Sequence, residues 1–295
     1  MLNRSNLHSY QEHSVQHILD NPRCALFLEM GLGKTVSTLT AIDELMFDRM
    51  EIQKVLVIAP KRVARDTWPD EIKEWAHVRH LTVSAVIGSA AKRMTALKTP
   101  ANIYTINREN VEWLVGVYGS KCPFDMIVID ELSSFKSSKA VRFKSLKQWS
   151  GQCTRVVGLT GTPSPNGYED LWAEIYLLDQ GKRLGQYVTH FRDRFFTIDP
   201  KTAYSTYPKR ILRDGAREKI HELIGDICLS MKARDYLDLP PVQENLIRVH
   251  LSESEMKAYE DFERHSIMEL PEGDIPALSA TALRNKLIQF ASGAV

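Results

Sequence analysis

The chain has 295 residues, of which 43% are hydrophobic, and its 38 basic and 37 acidic residues leave a formal net charge of +1. This length predicts one large domain with insertions or two lobes, and the balanced charge excludes a global basic field, so any nucleic-acid binding would need local patches. Scattered cysteines, a polar start and the lack of a long apolar run argue against a disulfide framework, a zinc site, a secretory signal and a membrane span.

A phosphate-binding loop is the first motif. Residues 29–35 read E-M-G-L-G-K-T, after an apolar run at residues 24–28 and before a helix-like segment at residues 36–46. In such a strand, turn and helix arrangement, backbone N–H groups cradle phosphate oxygens at the positive end of the helix. Lys34 would reach the outer phosphates and Thr35 would hold Mg²⁺. The residues expected to bind the nucleotide are Met30, Gly31, Leu32, Gly33, Lys34 and Thr35.

Strand and helix signals alternate after this loop. Strand candidates follow at residues 54–59, 81–87 and 103–106. Between the first two, Trp68, Ile72 and Trp75 recur at helical spacing. We therefore expect both tryptophans to lie in the core rather than to act as base-stacking platforms.

An acidic pair ends the next strand. Residues 124–131 read F-D-M-I-V-I-D-E, and the apolar run fits a strand covered on both faces in a parallel sheet. Carboxylates at the C-terminal end of such a strand face the crevice where ligands bind. Asp130 is then placed to hold Mg²⁺, usually through water, and Glu131 to orient or deprotonate the attacking water. The alternative, an Asp-Glu pair that merely opens a loop, is disfavoured by the phosphate loop upstream.

The alternation of elements predicts the fold class. Residues 155–159 predict a strand that leads into T-G-T-P, and an amphipathic helix follows at about residues 171–178. Strands that alternate with helices imply right-handed crossovers and a doubly wound parallel sheet, which is an α/β fold.

Residues 181–241 differ in composition, because they are rich in aromatic and basic residues. They predict a helical insert with a small core formed by Phe191, Phe195 and Phe196. Its basic side chains are expected to form a solvated face rather than phosphate contacts. Further along, the pattern predicts a strand at residues 244–251 and helices at about residues 253–265 and 279–291.

Together these residues resemble the first motor lobe of the Swi/Snf-type DNA translocases, within helicase superfamily two. The match runs in order through Tyr10-Gln11, E-M-G-L-G-K-T, V-L-V-I-A-P-K-R with W-P-D-E-I-K-E-W, D-E-L-S-S-F-K and L-T-G-T-P-S-P-N. It continues through Leu239-Pro240-Pro241 and Glu244 to L-R-N-K-L-I-Q-F-A-S-G, which in relatives precedes the linker to a second lobe. The set covers nearly the whole chain and is far more specific than any one motif.

The resemblance implies a RecA-like phosphate-loop NTPase lobe: an ATP-binding part at residues 1–180, a helical and basic insert at 181–241, and a last strand with helices at 242–295. It implies an enzyme that uses ATP and Mg²⁺ to move along the backbone of double-stranded DNA when joined to a second motor lobe, in cis or separate, which would supply an arginine finger. We expect that lobe to be absent here and the isolated chain to be weakly active. A compact phage or bacterial protein, cytoplasmic and nucleoid-associated, is the expected type, and a nuclease, replication or recombination partner stays open.

The family pattern also assigns roles to residues. Gln11 corresponds to the adenine-sensing glutamine, and the catalytic residues are Lys34, Asp130 and Glu131. The residues expected at the DNA backbone are Lys61, Arg62, Arg108 and Lys136, with ordinary exposed charge as the competing interpretation. The coupling motif comprises Thr160, Gly161 and Thr162, with a plain turn as the competing interpretation. Ser133 stands where relatives usually carry a histidine thought to link the acidic and coupling motifs, which leaves open how that link is built here.

Two other functions stay open. A nucleotide-gated DNA-binding module without motor activity would show ATP-dependent affinity for DNA but no translocation. A strand-separating helicase on RNA or single strands is disfavoured by the insert after Asp179, and an unwinding assay on a forked duplex distinguishes it. A small-molecule kinase would leave T-G-T-P and the later motifs without a role.

Overall fold

The computed structural model describes residues 2–161, 167–202, 209–237, 245–246, 248–265, 267–268, 275–276 and 280–293. Two compact units, residues 1–238 and 239–295, make up the chain. The strands are β1 (Arg23–Leu28), β2 (Val55–Ala59), β3 (Val83–Val86), β4 (Ile103–Asn107), β5 (Met126–Asp130), β6 (Arg155–Thr160), β7 (Phe196–Ile198), β8 (Arg210–Leu212), β9 (Cys228–Met231), β10 (Ile267–Met268) and β11 (Ile275–Pro276). The helices are α1 (Ser9–Asp20), α2 (Lys34–Asp43), α3 (Trp68–Glu74), α4 (Ala90–Lys98), α5 (Val111–Tyr118), α6 (Val141–Ser150), α7 (Leu171–Asp179), α8 (Val188–Phe195), α9 (Ala216–Ile224), α10 (Glu253–His265) and α11 (Ala280–Ala291).

A parallel sheet is the centre of the first unit. Seven of the described strands form it, in the order β3-β4-β2-β5-β6-β1-β9. Strand β1 lies between β6 and β9, so that Ala25 is paired with Gly158 on one side and with Cys228 on the other. The residues of β2 and β6 are buried along their whole length, as a parallel sheet covered on both faces requires. The predicted α/β fold, with a parallel sheet flanked by helices, is therefore confirmed.

The apolar runs identified in the sequence coincide with β1 to β6, with shifts of a residue or two at the ends. Both tryptophans of the predicted core helix are buried as expected, Trp68 at the start of α3 and Trp75 just after it. The predicted helix after the phosphate loop is α2, which continues as a π-helical turn, Glu44–Asp48.

The strand predicted at residues 244–251 is wrong for the part that the structure describes, since residues 245–246 and 248–251 are not in a strand. The alternating pattern misled because two of its apolar residues, Leu246 and Val249, are 81% and 83% exposed and no described strand is paired with them. The seventh strand of the sheet is instead β9, which pairs with β1 from within the predicted insert. The Leu239-Pro240-Pro241 motif and Glu244 lie outside the described residues.

The predicted aromatic core of the insert is present. Phe191 and Phe195 on α8 and Phe196 on β7 are buried, with ring centroids of Phe191 5.3 and 5.5 Å from those of the other two. Basic side chains around this core have protein partners: Arg192 and Arg210 form ion pairs with Glu169. These pairs agree with a solvated charged face.

The second unit has its own small core. Phe262 of α10 and Leu287 of α11 are buried against each other, and Tyr259, Leu283 and Phe290 pack around them. Strands β10 and β11 pair in antiparallel fashion over two residues each. Among the described residues of the whole chain, every helix is too short or too polar to cross a lipid bilayer.

Candidate nucleotide-binding site

The phosphate-binding loop connects β1 to α2 at the C-terminal edge of the sheet. Gly31 and Gly33 have φ angles of +86° and +70°, a region that side chains with a Cβ atom rarely adopt. A Cβ atom at Gly33 would also lie 2.1 Å from Nε2 of Gln11, so the side chain of Gln11 would have to move away from its present place on the loop. The strand, turn and helix geometry that the motif predicted is therefore present, with backbone conformations that favour glycine.

The side chain of Lys34 folds back over this loop. Its Nζ atom donates hydrogen bonds to the carbonyl oxygens of Leu28, at 2.7 Å, and Glu29, at 3.2 Å. Burial lowers the pKa of the Lys34 ammonium, and the negative charges of Asp130 and Glu131 oppose that shift. The structure thus brings the predicted lysine and the two predicted carboxylates into one electrostatic cluster.

Gln11 lies on α1 and packs against the loop. Its Oε1 atom accepts a hydrogen bond from the backbone N–H of His8 at 2.9 Å, and its amide nitrogen points at Gly33. Tyr10 stacks on His8 with ring centroids 5.2 Å apart, and it contacts Tyr236 at 5.0 Å. The predicted adenine contact is thus buried beside the loop, next to a group of three aromatic rings.

Two other loop residues differ from each other in exposure. The Met30 side chain is 88% exposed, whereas Leu32 is fully buried in the core. Only their backbone groups can therefore act on phosphates in the way that the motif predicts. The buried Leu32 side chain fixes the middle of the loop to the hydrophobic core.

Asp130 ends β5 and is held by a tryptophan. Oδ2 of Asp130 accepts a hydrogen bond from Nε1 of Trp68 at 3.0 Å. Burial raises the pKa of the Asp130 carboxyl, while the Trp68 hydrogen bond and the charge of Lys34 oppose that shift. A buried carboxylate in such a position favours a bound cation, because the cation offsets the unfavourable burial of the negative charge.

The residues present fit Mg²⁺. Thr35, in the first turn of α2, and Asp130 offer the hard oxygen ligands that this ion prefers. Clusters of three or more His, Cys, Asp or Glu side chains that could bind a metal do not occur in the described part of the chain. That is compatible with a nucleotide-bound Mg²⁺, which uses one or two protein oxygens together with phosphate oxygens and water.

Glu131 connects the acidic motif to the coupling motif. Its Oε1 atom accepts hydrogen bonds from the hydroxyl of Ser133 at 2.6 Å and from the hydroxyl of Thr160 at 3.3 Å. The backbone of Glu131 is left-handed, with φ +65° and ψ +60°. Such a conformation in a residue other than glycine is uncommon and is often found at functional sites. Ser133 therefore bonds to the same oxygen as Thr160, and Glu131 itself is the link between the two motifs.

The coupling motif follows β6 and lies against the beginning of the phosphate loop. A Cβ atom built on Gly161 would be 3.5 Å from the carbonyl oxygen of Leu28. Thr160 is fully buried at the end of β6. Thr162 lies outside the described residues.

The four predicted DNA-contacting residues lie after the C-terminal ends of β2, β4 and β5, at the same edge of the sheet as the nucleotide loop. Lys61 and Arg62 are exposed just after β2. Arg108 forms an ion pair with its neighbour Glu109 at 2.9 Å, and Lys136 lies 3.7 Å from Asp170. The sequence did not predict the acidic partners of Arg108 and Lys136.

A further contact to the phosphate loop comes from the segment after β9. The carboxylate of Glu29 accepts a hydrogen bond from the backbone N–H of Ala233 at 2.7 Å. The side chain of Leu237 lies 3.8 Å from the position that a Cβ atom on Gly31 would occupy. Nothing in the local sequence pattern signals this packing, because more than 200 residues separate Glu29 from Ala233. The hydrogen bond from Trp68 to Asp130 was missed for the same reason.

A parallel sheet with a glycine loop after β1 and an acidic pair after β5 defines the class of RecA-like phosphate-loop NTPases. The family model of the SNF2-related domain matches residues 9–290, and the chain belongs to this family, in helicase superfamily two. A likeness to solved structures agrees on the fold: the Sulfolobus solfataricus SWI2/SNF2 ATPase core in complex with double-stranded DNA superposes with a TM-score of 0.63 at 21% identity, over 97% of this chain and 58% of that chain.

Curated relatives include phage and animal proteins. The p41 protein of Acyrthosiphon pisum secondary endosymbiont phage 1 is 37% identical over 97% of this chain and 63% of its own length. The mouse DNA repair and recombination protein RAD54-like is 24% identical over 88% of this chain and 36% of its own length. The chain therefore spans less than two thirds of the relatives it matches.

Proposed function

We propose that this chain is the first, ATP-binding lobe of an ATP-dependent translocase on double-stranded DNA. The observation that carries the proposal is the electrostatic cluster of Lys34, after the loop that follows β1, with Asp130 and Glu131 at the end of β5. Glu131 is also bonded to both Ser133 and Thr160. This arrangement suits phosphoryl transfer, in which the protein positions groups and compensates charge. Membership of the SNF2-related family supports it.

In this proposal the loop residues bind ATP. Backbone N–H groups around Gly31 and Gly33 cradle the phosphates, and Lys34 exchanges its two carbonyl partners for outer phosphate oxygens. Gln11, whose side chain already packs on the loop, contacts the adenine. Thr35 and Asp130 would hold Mg²⁺, which when bound offsets the negative charge of the phosphates.

Glu131 acts on the attacking water. Its Oε1 atom is engaged by the two hydroxyl groups of Ser133 and Thr160, so we assign the other carboxylate oxygen to the water. A carboxylate fixed in this way needs little reorganisation to orient the water for in-line attack. Because Thr160 belongs to the coupling motif, a change at the terminal phosphate would reach that motif through Glu131.

DNA contacts follow the other strand ends. Lys61 and Arg62 are free to meet backbone phosphates, whereas Arg108 and Lys136 would first leave Glu109 and Asp170. Contacts of this kind position the protein and read little sequence. The solved SWI2/SNF2 core that carries duplex DNA supports this choice of nucleic acid.

A second motor lobe, in cis or as a separate chain, completes the proposed machine. Its arginine finger would contribute about 10³–10⁵ in rate, as in other nucleotide hydrolases. The share of p41 and of the archaeal core outside the matched region leaves room for such a lobe in these proteins. A cytoplasmic, nucleoid-associated setting agrees with the proposed substrate.

The test is ATP turnover with and without duplex DNA, on this chain and on a protein extended through a second lobe. We expect strong stimulation by DNA in the extended protein and almost none here. Replacing Lys34 by alanine should abolish turnover in the extended protein, while Lys98→Ala, on the exposed surface of α4, should leave it unchanged. Turnover that ignores duplex DNA would reject the translocase, and ATP-dependent DNA affinity without translocation would indicate a gated binding module.

A further inference from the structure

The helix that follows β2 begins with the exposed pair Lys61 and Arg62 and runs without interruption through residue 74. Its second turn, Val63–Thr67, is π-helical. The backbone N–H of Trp68 accordingly donates to the carbonyl of Val63, five residues back, rather than four. The turn between the exposed end of the helix and α3 therefore contains one residue more than an α-helical turn.

This π turn is supported by the neighbouring strand. An α-helix would pair the carbonyl of Ala64 with the N–H of Trp68, which the π turn directs to Val63 instead. In the π register the Ala64 carbonyl would pair with residue 69, but that residue is proline and has no N–H to donate. The hydroxyl of Thr105 on β4 donates to this carbonyl instead, at 2.6 Å, and the whole contact is buried. The change of helical register is therefore part of the packed structure and leaves the freed carbonyl with a partner.

The register places the indole of Trp68 on the carboxylate of Asp130. Trp68 has no exposed surface, and its Nε1 atom lies 3.0 Å from Oδ2 of Asp130. A purely α-helical run would rotate position 68 by about 100° around the helix axis and turn the indole away. The indole N–H is a neutral, donor-only group, so it can fix the carboxylate without cancelling its charge.

We propose that Trp68 is a positioning residue that ties the DNA-facing end of its helix to the metal-binding carboxylate Asp130. The inference rests on the proposed function, and it adds a connection separate from Ser133, Glu131 and Thr160. Lys61 precedes Trp68 by seven residues, about 10 Å along one continuous helix. A DNA phosphate that draws Lys61 and Arg62 displaces this helix and changes the bond to Asp130.

The connection has a thermodynamic consequence. If DNA bound at one end of the helix changes the hydrogen bond from Trp68 to Asp130, then duplex DNA must change the affinity of the protein for Mg²⁺-nucleotide. By linkage, the nucleotide must change the affinity for DNA by the same factor. If Trp68 only filled the core, the effect of duplex DNA on nucleotide affinity would not depend on its N–H group. The two explanations differ in what loss of the indole N–H does.

The matched pair of variants is Trp68→Phe and Trp75→Phe in the protein extended through a second lobe. Trp75 is also buried and also donates from Nε1 to a carboxylate, Glu71 at 3.0 Å, but that carboxylate is only four residues away, on α3, and is not part of the candidate site. The readout is the affinity for a fluorescent ADP analogue and for a non-hydrolysable ATP analogue across a Mg²⁺ titration, with and without duplex DNA. No turnover is needed, so binding is measured apart from catalysis.

We expect Trp68→Phe to weaken the Mg²⁺-dependent nucleotide affinity about 10-fold, the size typical of losing a hydrogen bond to a charged group. Affinity without Mg²⁺ should stay within about twofold, and the effect of duplex DNA on nucleotide affinity should largely vanish. Trp75→Phe should retain the Mg²⁺ dependence and the DNA effect. A benzothiophene in place of the indole at position 68 keeps the ring shape without the N–H, and it should reproduce Trp68→Phe even if phenylalanine disturbs folding.

The outcomes separate this inference from the proposed function. If wild type responds to Mg²⁺ and to DNA, and both position-68 variants respond equally, the role of Trp68 is overturned and the translocase lobe stands. If wild type fails to bind Mg²⁺-nucleotide, or binds it without any influence of duplex DNA, the proposed function fails and the connection falls with it. Loss of the DNA effect at position 68 alone supports both.

Discussion

A single carboxylate oxygen of Glu131 receives the hydroxyl groups of Ser133 and Thr160. Replacing Ser133 by alanine removes the shorter of these bonds and frees the carboxylate to rotate. Because a hydrogen bond to a charged group contributes about 1.5–3 kcal/mol, we expect DNA-stimulated ATP turnover of the complete motor to fall at least about 10-fold, with the Michaelis constant for ATP little changed.

Ser134 provides the matched control for that prediction. Its hydroxyl is buried and has no hydrogen-bond partner in the described structure, although it is the next residue in the chain. Ser134→Ala should therefore leave turnover unchanged. Equal turnover in the two alanine variants would show that the Ser133 hydroxyl does not position Glu131.

Gly33 is a second single-residue determinant. Alanine there must adopt φ near +70°, which costs about 1–2 kcal/mol, and its Cβ atom would collide with Nε2 of Gln11. We expect Gly33→Ala to weaken nucleotide affinity at least about 10-fold, measured by titration calorimetry. Gly116→Ala is the control, because nothing lies within 4 Å of the added atom in α5 and alanine favours the helix. Nucleotide affinity that survives in Gly33→Ala would contradict the role of the loop.

For single residues, the sequence predicted those that belong to short local motifs. The loop residues, Asp130 and Glu131 were identified because each lies within a short pattern whose chemistry is legible without the fold. The partners of those residues were not: Trp68 is 62 residues from Asp130, and only folding brings the two together. Trp68 was correctly predicted to be buried, yet its N–H group has a second use that hydrophobic periodicity cannot reveal.

Among the elements, the π turn before α3 depends on one hydroxyl of the adjacent strand. Thr105→Val keeps the shape of the side chain but leaves the buried carbonyl of Ala64 without its donor. We expect the free energy of unfolding in urea to fall by about 1–3 kcal/mol. Thr95→Val removes an exposed bond to Ala91 within α4 and should change stability by about 0.5 kcal/mol or less. Equal effects of the two valines would mean that the carbonyl of Ala64 is satisfied in another way.

Strand prediction succeeded where the chain is continuously apolar and failed at the edge of the sheet. The residues of β2 and of most of β5 are buried on both sides, so their sequences read as unbroken hydrophobic runs. Strand β9 has only four residues, C-L-S-M, one of them exposed and polar, and such a run carries little signal. The π turn was not predicted either, because Pro69 alone does not specify it and the hydroxyl that supports it comes from Thr105 on β4.

Across the whole first unit, strand order divides the C-terminal edge of the sheet. The candidate DNA residues follow β4, β2 and β5, whereas the nucleotide loop and the coupling motif follow β1 and β6. Strand β5 is the member of the first group that borders the second, since it pairs with β6, and it carries Asp130 and Glu131 at its end. The central strand is therefore the place where both proposed ligands can act on the same residues.

The contact between α1 and the residues just before β9, an edge strand of the sheet, predicts that stability depends on pH. Nε2 of His17 lies 3.1 Å from the carbonyl oxygen of Ile227, just before β9. Burial lowers the pKa of the His17 imidazole, and the hydrogen bond to Ile227 opposes that shift. A histidine with a lower pKa in the folded state contributes its full stability above the unfolded pKa of about 6.5 and loses it as the pH falls below that value.

We therefore expect the urea midpoint of wild type to fall between about pH 7.5 and pH 5.5, and His17→Gln to make that fall smaller. His190→Gln, at an exposed position on α8, should keep the wild-type dependence. A pH profile that is identical in all three proteins would assign the effect to other groups.

Glu131 has consequences for protein engineering and for evolution. Its backbone is left-handed, with φ +65°. Glycine and asparagine adopt this conformation readily, whereas it costs glutamate about 1–2 kcal/mol. A design procedure asked only to improve thermostability would therefore replace the very carboxylate that we assign to water activation. Selection for stability favours another residue at this position, whereas selection for hydrolysis retains the glutamate. In a more stable descendant of this chain that no longer hydrolysed ATP, we would expect position 131 to be among the first to change.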